Sequence, residues 1–446
     1  MSEGVEVIGA LDANFAWNGC ALYTDAQMAD DVVGLNLLRG AAAGVQRRAL
    51  GGWRLFRDPL GINKLFWVQD DLGRITVASR PKRFVERGWP FEAIRSLPRG
   101  TVVDLQNGSV EEHSIIPPQW SVTSPTEGDT SLKEAGLAIR TALDGYLAAL
   151  ARTHPSSSAF VCLSGGLDSS GIAALAHRHF PELVAVSFDM TRPGGRGSED
   201  RLTARRLAND LGMPLLEATV SEDELFEALD VVLVEGIDWR DFNVHAALVN
   251  AALARAIDRV APRPPGSPVL VLTGDLANEF LVDYKPERYR EATYYALPRL
   301  SGPALRSALV RGLDTCHREI GVFASWGLSA VQPYAAATDA YLALPAAFLA
   351  RDDRKERLCR EVLGDLLPEY VFTRPKARAQ VGGPEVAGGV LAACVDRGFD
   401  GAWLGQRFAQ LHGVADPQAL HRFIRGGCYR SAVPGPNGNT HDRRYP

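Results

Sequence analysis

Ser164-Gly165-Gly166-Leu167-Asp168-Ser169-Ser170 is the stretch on which the reading of this chain turns. It follows the apolar run Ala159-Phe160-Val161-Cys162-Leu163 and precedes Gly171-Ile172-Ala173-Ala174-Leu175-Ala176. A β-rich run, a small-residue turn and a helical run predict strand, loop and helix in that order. Two adjacent glycines let the backbone turn sharply and approach a ligand with no Cβ in the way. The serine hydroxyls and the free N–H groups at a helix start then form an anion site suited to phosphate. Asp168 is the odd member, because a carboxylate beside phosphates needs a cation such as Mg²⁺ between them. The Gly-Lys-Ser/Thr ending of a Walker loop is absent.

Strands and helices alternate on either side of this stretch. Residues 132–151 carry a helical apolar face, 183–188 read as a strand, and Ser198-Glu199-Asp200 caps a helix running to 211. Residues 214–220 and 268–274 are further strands, with helical stretches at 225–234 and 244–257 between them. Such alternation predicts a doubly wound parallel sheet with ligands at the carboxyl ends of its strands. Both glycine turns, 164–166 and 274, lie at strand ends and can face one nucleotide. Beyond Asp275 the chain reads as mostly helical, and 431–446 reads as a loose tail.

Residues 1–117 read instead as β-rich, with short apolar runs separated by Gly, Asn and Asp turns. Residues 118–131 are rich in Pro, Ser, Thr and Gly and read as a linker to a second unit at 132–430. The 446 residues suit two or three domains, and the 46% hydrophobic and 23% charged composition is that of a globular protein. A net charge of -5 gives no basic field for nucleic acid or an anionic membrane. No signal-peptide pattern or membrane-length apolar run is present, and six scattered cysteines suit a reducing cytoplasm. The only lysines are Lys64, Lys82, Lys133, Lys285, Lys355 and Lys376, so each one in a suggestive place carries weight.

Residues 164–170 resemble the pyrophosphate-binding loop of the asparagine synthetase family of ATP pyrophosphatases. That resemblance implies that Ser164, Gly165, Gly166, Leu167, Asp168, Ser169 and Ser170 hold the β- and γ-phosphates of ATP, with Asp168 on Mg²⁺. The segment 273–284 resembles the family's Ser/Thr-Gly-x-Gly-x-Asp-Glu…Gly-Gly-Tyr stretch and brings Gly274 to the nucleotide. Here Leu276 stands for the second glycine, Asn278 for the metal-sharing aspartate, and Val282-Asp283 for the Gly-Gly pair. Asn278, Glu279 and Asp275 all remain open as the second cation ligand. Asp275 also occupies the position of an acid–base residue in amine-condensing members. Lys355-x-x-Leu358 with Arg374-Pro375-Lys376 resembles the Lys-x-x-Leu…Arg-x-Lys stretch, which implies Lys355 near pyrophosphate and Lys376 as the catalytic cation. Glu319, fourteen residues before Pro333-Tyr334, is the acidic partner such members place near a Pro-aromatic pair. Trp239, Asn243 and His245 can line the acceptor side, although nothing in the sequence selects them.

In the N-terminal part, Arg57-Asp58-Pro59-Leu60-Gly61 through Trp67 resembles the class II glutamine amidotransferase domain, a member of the N-terminal-nucleophile fold. The nucleophilic cysteine of that domain is Ser2 here, Cys20 lies too far along to replace it, and no glutamine-holding motif lies between 20 and 50. The expected protein is therefore an ATP-dependent amide-forming ligase with a degenerate amidotransferase-like domain. It would adenylate a small-molecule or peptide carboxylate and pass the acyl group to an amine without glutaminase activity. Its resemblance to β-lactam synthetases and lasso-peptide cyclases implies natural-product (antibiotic) biosynthesis. A homodimer is compatible with this reading. The alternatives are an RNA-modifying ATP pyrophosphatase and a decayed, non-catalytic nucleotide-binding protein.

Overall fold

In the computed structural model the described residues are 5–7, 42–47, 51–106, 109–117, 120, 131–191, 198–374, 381, 389–414 and 433–434. Ser2, Cys20, Lys376, nearly all of the linker and most of the tail lie outside them.

The N-terminal part forms two four-stranded sheets. Strands β1 (Val5–Val7), β4 (Phe66–Gln69), β5 (Ile75–Ala78) and β6 (Arg95–Ser96) lie in the order β1-β5-β4-β6. Strands β2 (Ala43–Arg47), β3 (Trp53–Arg57), β7 (Thr101–Gln106) and β8 (Ser109–Ser114) follow one another in the second sheet. Ala43, Leu55 and Leu105 from one sheet meet Leu65, Val77 and Leu97 from the other side in a shared apolar core.

The central sheet is β9 (Ala159–Cys162), β10 (Val184–Thr191), β11 (Leu215–Ser221), β12 (Leu270–Leu272) and, from further along the chain, β15 (Ser329–Val331). Its order is β11-β10-β9-β12-β15, and every pairing is parallel. The strand order reverses between β9 and β12, so the loops leaving those two strands diverge to opposite faces and open a crevice. Helix Leu132–Thr153 starts on a capping box, with Ser131 Oγ accepting from Glu134 N and the Glu134 carboxylate accepting in return. Ile139, Leu143, Leu147 and Leu150 on its inner face join the main core with Ile172 and Leu175 of helix Leu167–His177.

The chain after Asp275 is less uniformly helical than its sequence suggests. It contains the edge strand β15 and a small antiparallel sheet of β13 (Glu287–Tyr289), β14 (Ala292–Tyr294) and β16 (Val433–Pro434). The last strand lies within the segment expected to be a loose tail. The helical stretch 225–234 is two helices, Glu222–Phe226 and Leu229–Glu235. No helix among the described residues is long and apolar enough to cross a membrane.

The Arg57–Lys64 motif has a visible physical task. Arg57 is fully buried and donates to the carbonyls of Gly61 (2.8 Å), Asn63 (2.6 Å), Leu97 (2.6 Å) and Asp314 (3.2 Å). It also meets the Asp314 carboxylate at 2.6 Å. Lys64 Nζ donates to the Leu313 carbonyl at 2.8 Å, and Arg80 pairs with Glu235. Burial, with Arg57 nearby, pushes the Lys64 ammonium down to about 8. The motif therefore ties the N-terminal sheets to Leu313 and Asp314 of the second unit. Arg57→Met takes the side-chain donor from the buried Asn63 carbonyl and one donor from each of the Gly61, Leu97 and Asp314 carbonyls, a buried acceptor left unmade costing about 1–3 kcal/mol. The expected result is a large fall in the denaturant midpoint, whereas Arg83→Met on a half-exposed side chain leaves the midpoint nearly unchanged.

Candidate active site

The crevice between β9 and β12 opens into a cleft of about 390 Å³. Its floor is the predicted loop. Gly165 sits at φ +71°, and a Cβ there would lie 2.6 Å from the Thr203 side chain. Ser169 Oγ accepts from Ser164 N at 3.2 Å, and Ser164 Oγ accepts from Gly166 N at 3.3 Å, so the serines shape the turn. Gly166 is the N-cap of Leu167–His177 and offers no side chain, which leaves first-turn N–H groups directed at the cleft. Gly274 closes the arrangement, because a Cβ there would fall 2.7 Å from Ser169 N and 3.0 Å from the Asp168 carbonyl carbon. The turn after β12 thus touches the start of helix Leu167–His177, backbone against backbone.

On the phosphate side, Lys355 is the organising cation. From the start of helix Arg354–Leu363 its Nζ reaches Asp168 Oδ2 at 2.5 Å, Asn278 Oδ1 at 2.6 Å and Asp283 Oδ2 at 3.3 Å. Burial alone would lower this ammonium; the Asp168 and Asp283 charges outweigh it and hold it above its ordinary range. Asp168 Oδ1 is buried with no hydrogen-bond partner, and Ser170 Oγ is likewise unpartnered and fully buried. Arg374 also lines this side, held by Asp200 and donating to the Ser164 carbonyl at 3.1 Å.

Sequence reasoning missed Asp283, which supplies a carboxylate near the place where Asn278 has lost one. The route is a backbone one. Leu276, in the place of a glycine, holds φ +84°, and Val282, also in a glycine place, holds φ +55°. Left-handed backbone at non-glycine residues costs about 1–2 kcal/mol each. The second of these turns folds the chain so that Asp283 N donates to the Asn278 carbonyl at 3.0 Å.

On the opposite side stands Arg318, unremarkable in the sequence and buried here. It pairs with Glu319 and lies 3.8 Å from both Asp275 Oδ1 and Glu279 Oε1, with its guanidinium over the Phe242 ring. Asn243 Oδ1 accepts from Arg318 at 2.8 Å, and Asn243 Nδ2 donates to Asp238 at 2.6 Å. Burial and the neighbouring Glu319 charge push the Asp275 carboxyl up to about 8. Burial also raises Glu279, which accepts a 2.6 Å hydrogen bond from Tyr284.

Asp275, Glu319 and Asn278 line the main cleft with the loop. Glu279 is turned into the Arg318 and Tyr284 cluster rather than toward Asp168 and Lys355, which departs from the metal-ligand expectation. Lys376 lies outside the described residues. Trp239 packs on Phe408 and His245 bonds Tyr295, so of the three suggested acceptor-side residues only Asn243 joins the cluster. Among the described residues no group of three or more His, Cys, Asp or Glu side chains is arranged to hold a metal.

Residues 147–321 match the asparagine synthase family. The chain is 29% identical over 292 residues to the carboxyethyl-arginine beta-lactam-synthase of Streptomyces clavuligerus, covering 64% of this chain and 51% of that protein. It is 25% identical over 349 residues to the glutamine-hydrolyzing asparagine synthetase of Rattus norvegicus, covering 72% of this chain and 59% of that one. The matches thus span little more than half the length of these curated relatives. Among solved structures, the NMN synthetase from Francisella tularensis matches with a TM-score of 0.28 and 15% identity over 64% of this chain and 94% of its own. Residues 147–321 are thus similar to the asparagine synthase family, and the sheet they contribute to is parallel and doubly wound. The matched stretch ends before Lys355 and Lys376.

Glu319→Gln removes the charge beside Asp275 and is expected to lower its titration midpoint from about 8. Carboxyl ¹³C NMR of the labelled protein follows that midpoint; no movement would mean that the Glu319 charge does not raise it.

Proposed function

We propose that the protein is an ATP-dependent carbon–nitrogen ligase that adenylates a carboxylate and transfers the acyl group to an amine. The observation that carries this reading is the meeting of the 164–170 loop, Lys355 and the Asp275–Arg318–Glu319 cluster in one cleft. One half offers donors and a cation to phosphates. The other offers carboxylates to an amine.

The chemistry assigns each half a step. A carboxylate oxygen attacks the α-phosphorus of ATP, and the bond to the β-phosphate oxygen breaks. The loop N–H groups and Lys355 stabilise the charge gathering on departing pyrophosphate. Asp168, whose buried Oδ1 has no partner, would hold Mg²⁺ on this side of the cleft. When bound, it would neutralise phosphate charge. The amine then attacks the acyl carbon, its proton passes to Asp275 or Glu319, and AMP leaves. Lys376, in the segment after Arg374, is assigned to the oxyanion of that second step by resemblance to synthetase relatives.

The amine and acid are small-molecule or peptide groups, and natural-product biosynthesis is the setting suggested by likeness to the beta-lactam synthase. Free cysteines at 162, 316, 359 and 394 suit a reducing cytoplasm. We assign the N-terminal sheets a bracing task, with glutamine hydrolysis lost together with the cysteine nucleophile.

ATP–pyrophosphate exchange with candidate acids tests the first step. Lys355→Met and Asp168→Ala should each reduce exchange by about 10²-fold or more. A chain that exchanges pyrophosphate with no acid, across a broad panel, contradicts the ligase reading. Added glutamine should yield no glutamate.

The pH dependence follows from Asp275. Its carboxyl must be ionised to accept a proton, and the ionised fraction grows as pH rises through about 8. Amide formation should therefore climb across that range and level off above it. Asp275→Asn should lower the rate by about 10²-fold and flatten the climb.

A further inference from the structure

Away from the cleft, the N-terminal sheets and the second unit meet along a seam that buries two histidines. His317 lies in the segment before β15 and is 4% exposed, and neither of its ring nitrogens has a hydrogen-bond partner. His412 ends helix Gly401–His412 and is fully buried. Its Nδ1 donates to the Phe408 carbonyl at 3.0 Å, which leaves Nε2 as a bare acceptor without a partner. The His412 ring stacks on Phe408 and meets Phe91 of the N-terminal part edge-on.

The seam turns cations toward both rings. Arg57, Lys64 and Arg80 bear on His317, and Lys82 bears on His412. All four belong to the N-terminal part. Lys82 Nζ donates to the Leu411 carbonyl beside His412, and Arg80 donates to the Gly321 carbonyl one turn after His317. The carboxylates of the seam are engaged elsewhere. Asp314 pairs with Arg57, Glu235 with Arg80, and Asp58 accepts from the backbone N–H groups of Ala42, Ile62 and Asn63. Arg407, on the helix of His412, is matched by Asp230. Cys316, next to His317, is a neutral thiol pushed up to about 11 by burial. A proton on either ring would therefore add positive charge beside buried cations.

We propose that this seam is a proton-operated joint, closed while His317 and His412 are neutral and released from the second unit when both take up protons. The direction follows from linkage. Burial holds both rings below the ordinary histidine value of 6.5, His412 at about 4, so the released state binds more protons than the closed one. The joint is tight above about pH 6.5 and loosens as pH falls. Between pH 7 and pH 5 each ring shifts the release equilibrium by about 20-fold. Lys64, lowered to about 8 in the closed state, pulls the same way, but its effect is complete before that window is reached. Release frees Leu313 and Asp314 from Lys64 and Arg57. The joint is independent of the ligase reading and is measurable without any turnover.

Hydrogen exchange of the full chain, read by mass spectrometry and corrected for the intrinsic pH dependence of exchange, provides the test. Amides in residues 313–321 and 408–414 should lose protection by about 400-fold between pH 7 and pH 5, the product of two rings, while β9 and β12 keep theirs. His317→Gln and His412→Phe should each reduce the loss to about 20-fold, and the double variant should abolish it. An unmodified chain that keeps its protection at pH 5 overturns the proposal. Equal loss in the double variant also overturns it, because the seam carboxylates would then be the proton acceptors. Equal loss in β9 and β12 does the same, because the whole chain would be unfolding. If the variants do not fold, ring ¹⁵N shifts of the unmodified chain decide. Both rings should gain charge over the interval in which protection falls; either ring staying neutral there contradicts the joint.

Discussion

The contact between Gly274 and the Asp168–Ser169 backbone is the constraint on which the rest of the site depends. It sets the turn after β12 against the first turn of the helix that follows β9, where the sheet reverses its order, and it allows no side chain at position 274. With that contact made, Asp168 and Asp275 leave neighbouring strands on either side of one crevice. The 164–170 loop and the Asp275 cluster then share a cleft because two adjacent parallel strands place them there. The sheet does not bring its own cations. Lys355 arrives from a helix nearly two hundred residues later in the chain, and Arg318 from the segment before β15.

Those two cations divide the cleft electrostatically. Lys355 is shared by Asp168, Asn278 and Asp283. Arg318 sits among Asp275, Glu279 and Glu319 and offsets only part of their charge. The N-terminal sheets bear on the second arrangement from outside. Arg57 and Lys64 hold residues 313 and 314, four or five positions before the Arg318–Glu319 pair. The N-terminal sheets thus bear on the placing of the Arg318–Glu319 pair.

Much of this was legible in the sequence, for local reasons. Residues 164–170 announce their turn through two glycines between an apolar run and a helical one, and 273–275 announce theirs through Gly274. Lys355 stands out because lysine is scarce. Arg318 could not be found this way, since an Arg-Glu pair beside a short helix looks like an exposed surface pair. Asp283 was hidden for a subtler reason. Its approach to Lys355 depends on left-handed backbone at Val282, a conformation that valine disfavours and sequence patterns argue against. Strands β15 and β16 are only three and two residues long, too short for periodicity to reveal, and gain their identity from partners far along the chain.

In the proposed ligase reaction a carboxylate oxygen bonds to the α-phosphorus of ATP before the amine attacks. Isotope transfer reads that bond directly. A substrate carboxylate carrying ¹⁸O should pass one labelled oxygen to AMP, which mass spectrometry detects as heavier AMP alongside unlabelled pyrophosphate. Label in inorganic phosphate, with ADP as the other product, would mean attack at the γ-phosphorus and contradict the assignment of the 164–170 loop to departing pyrophosphate.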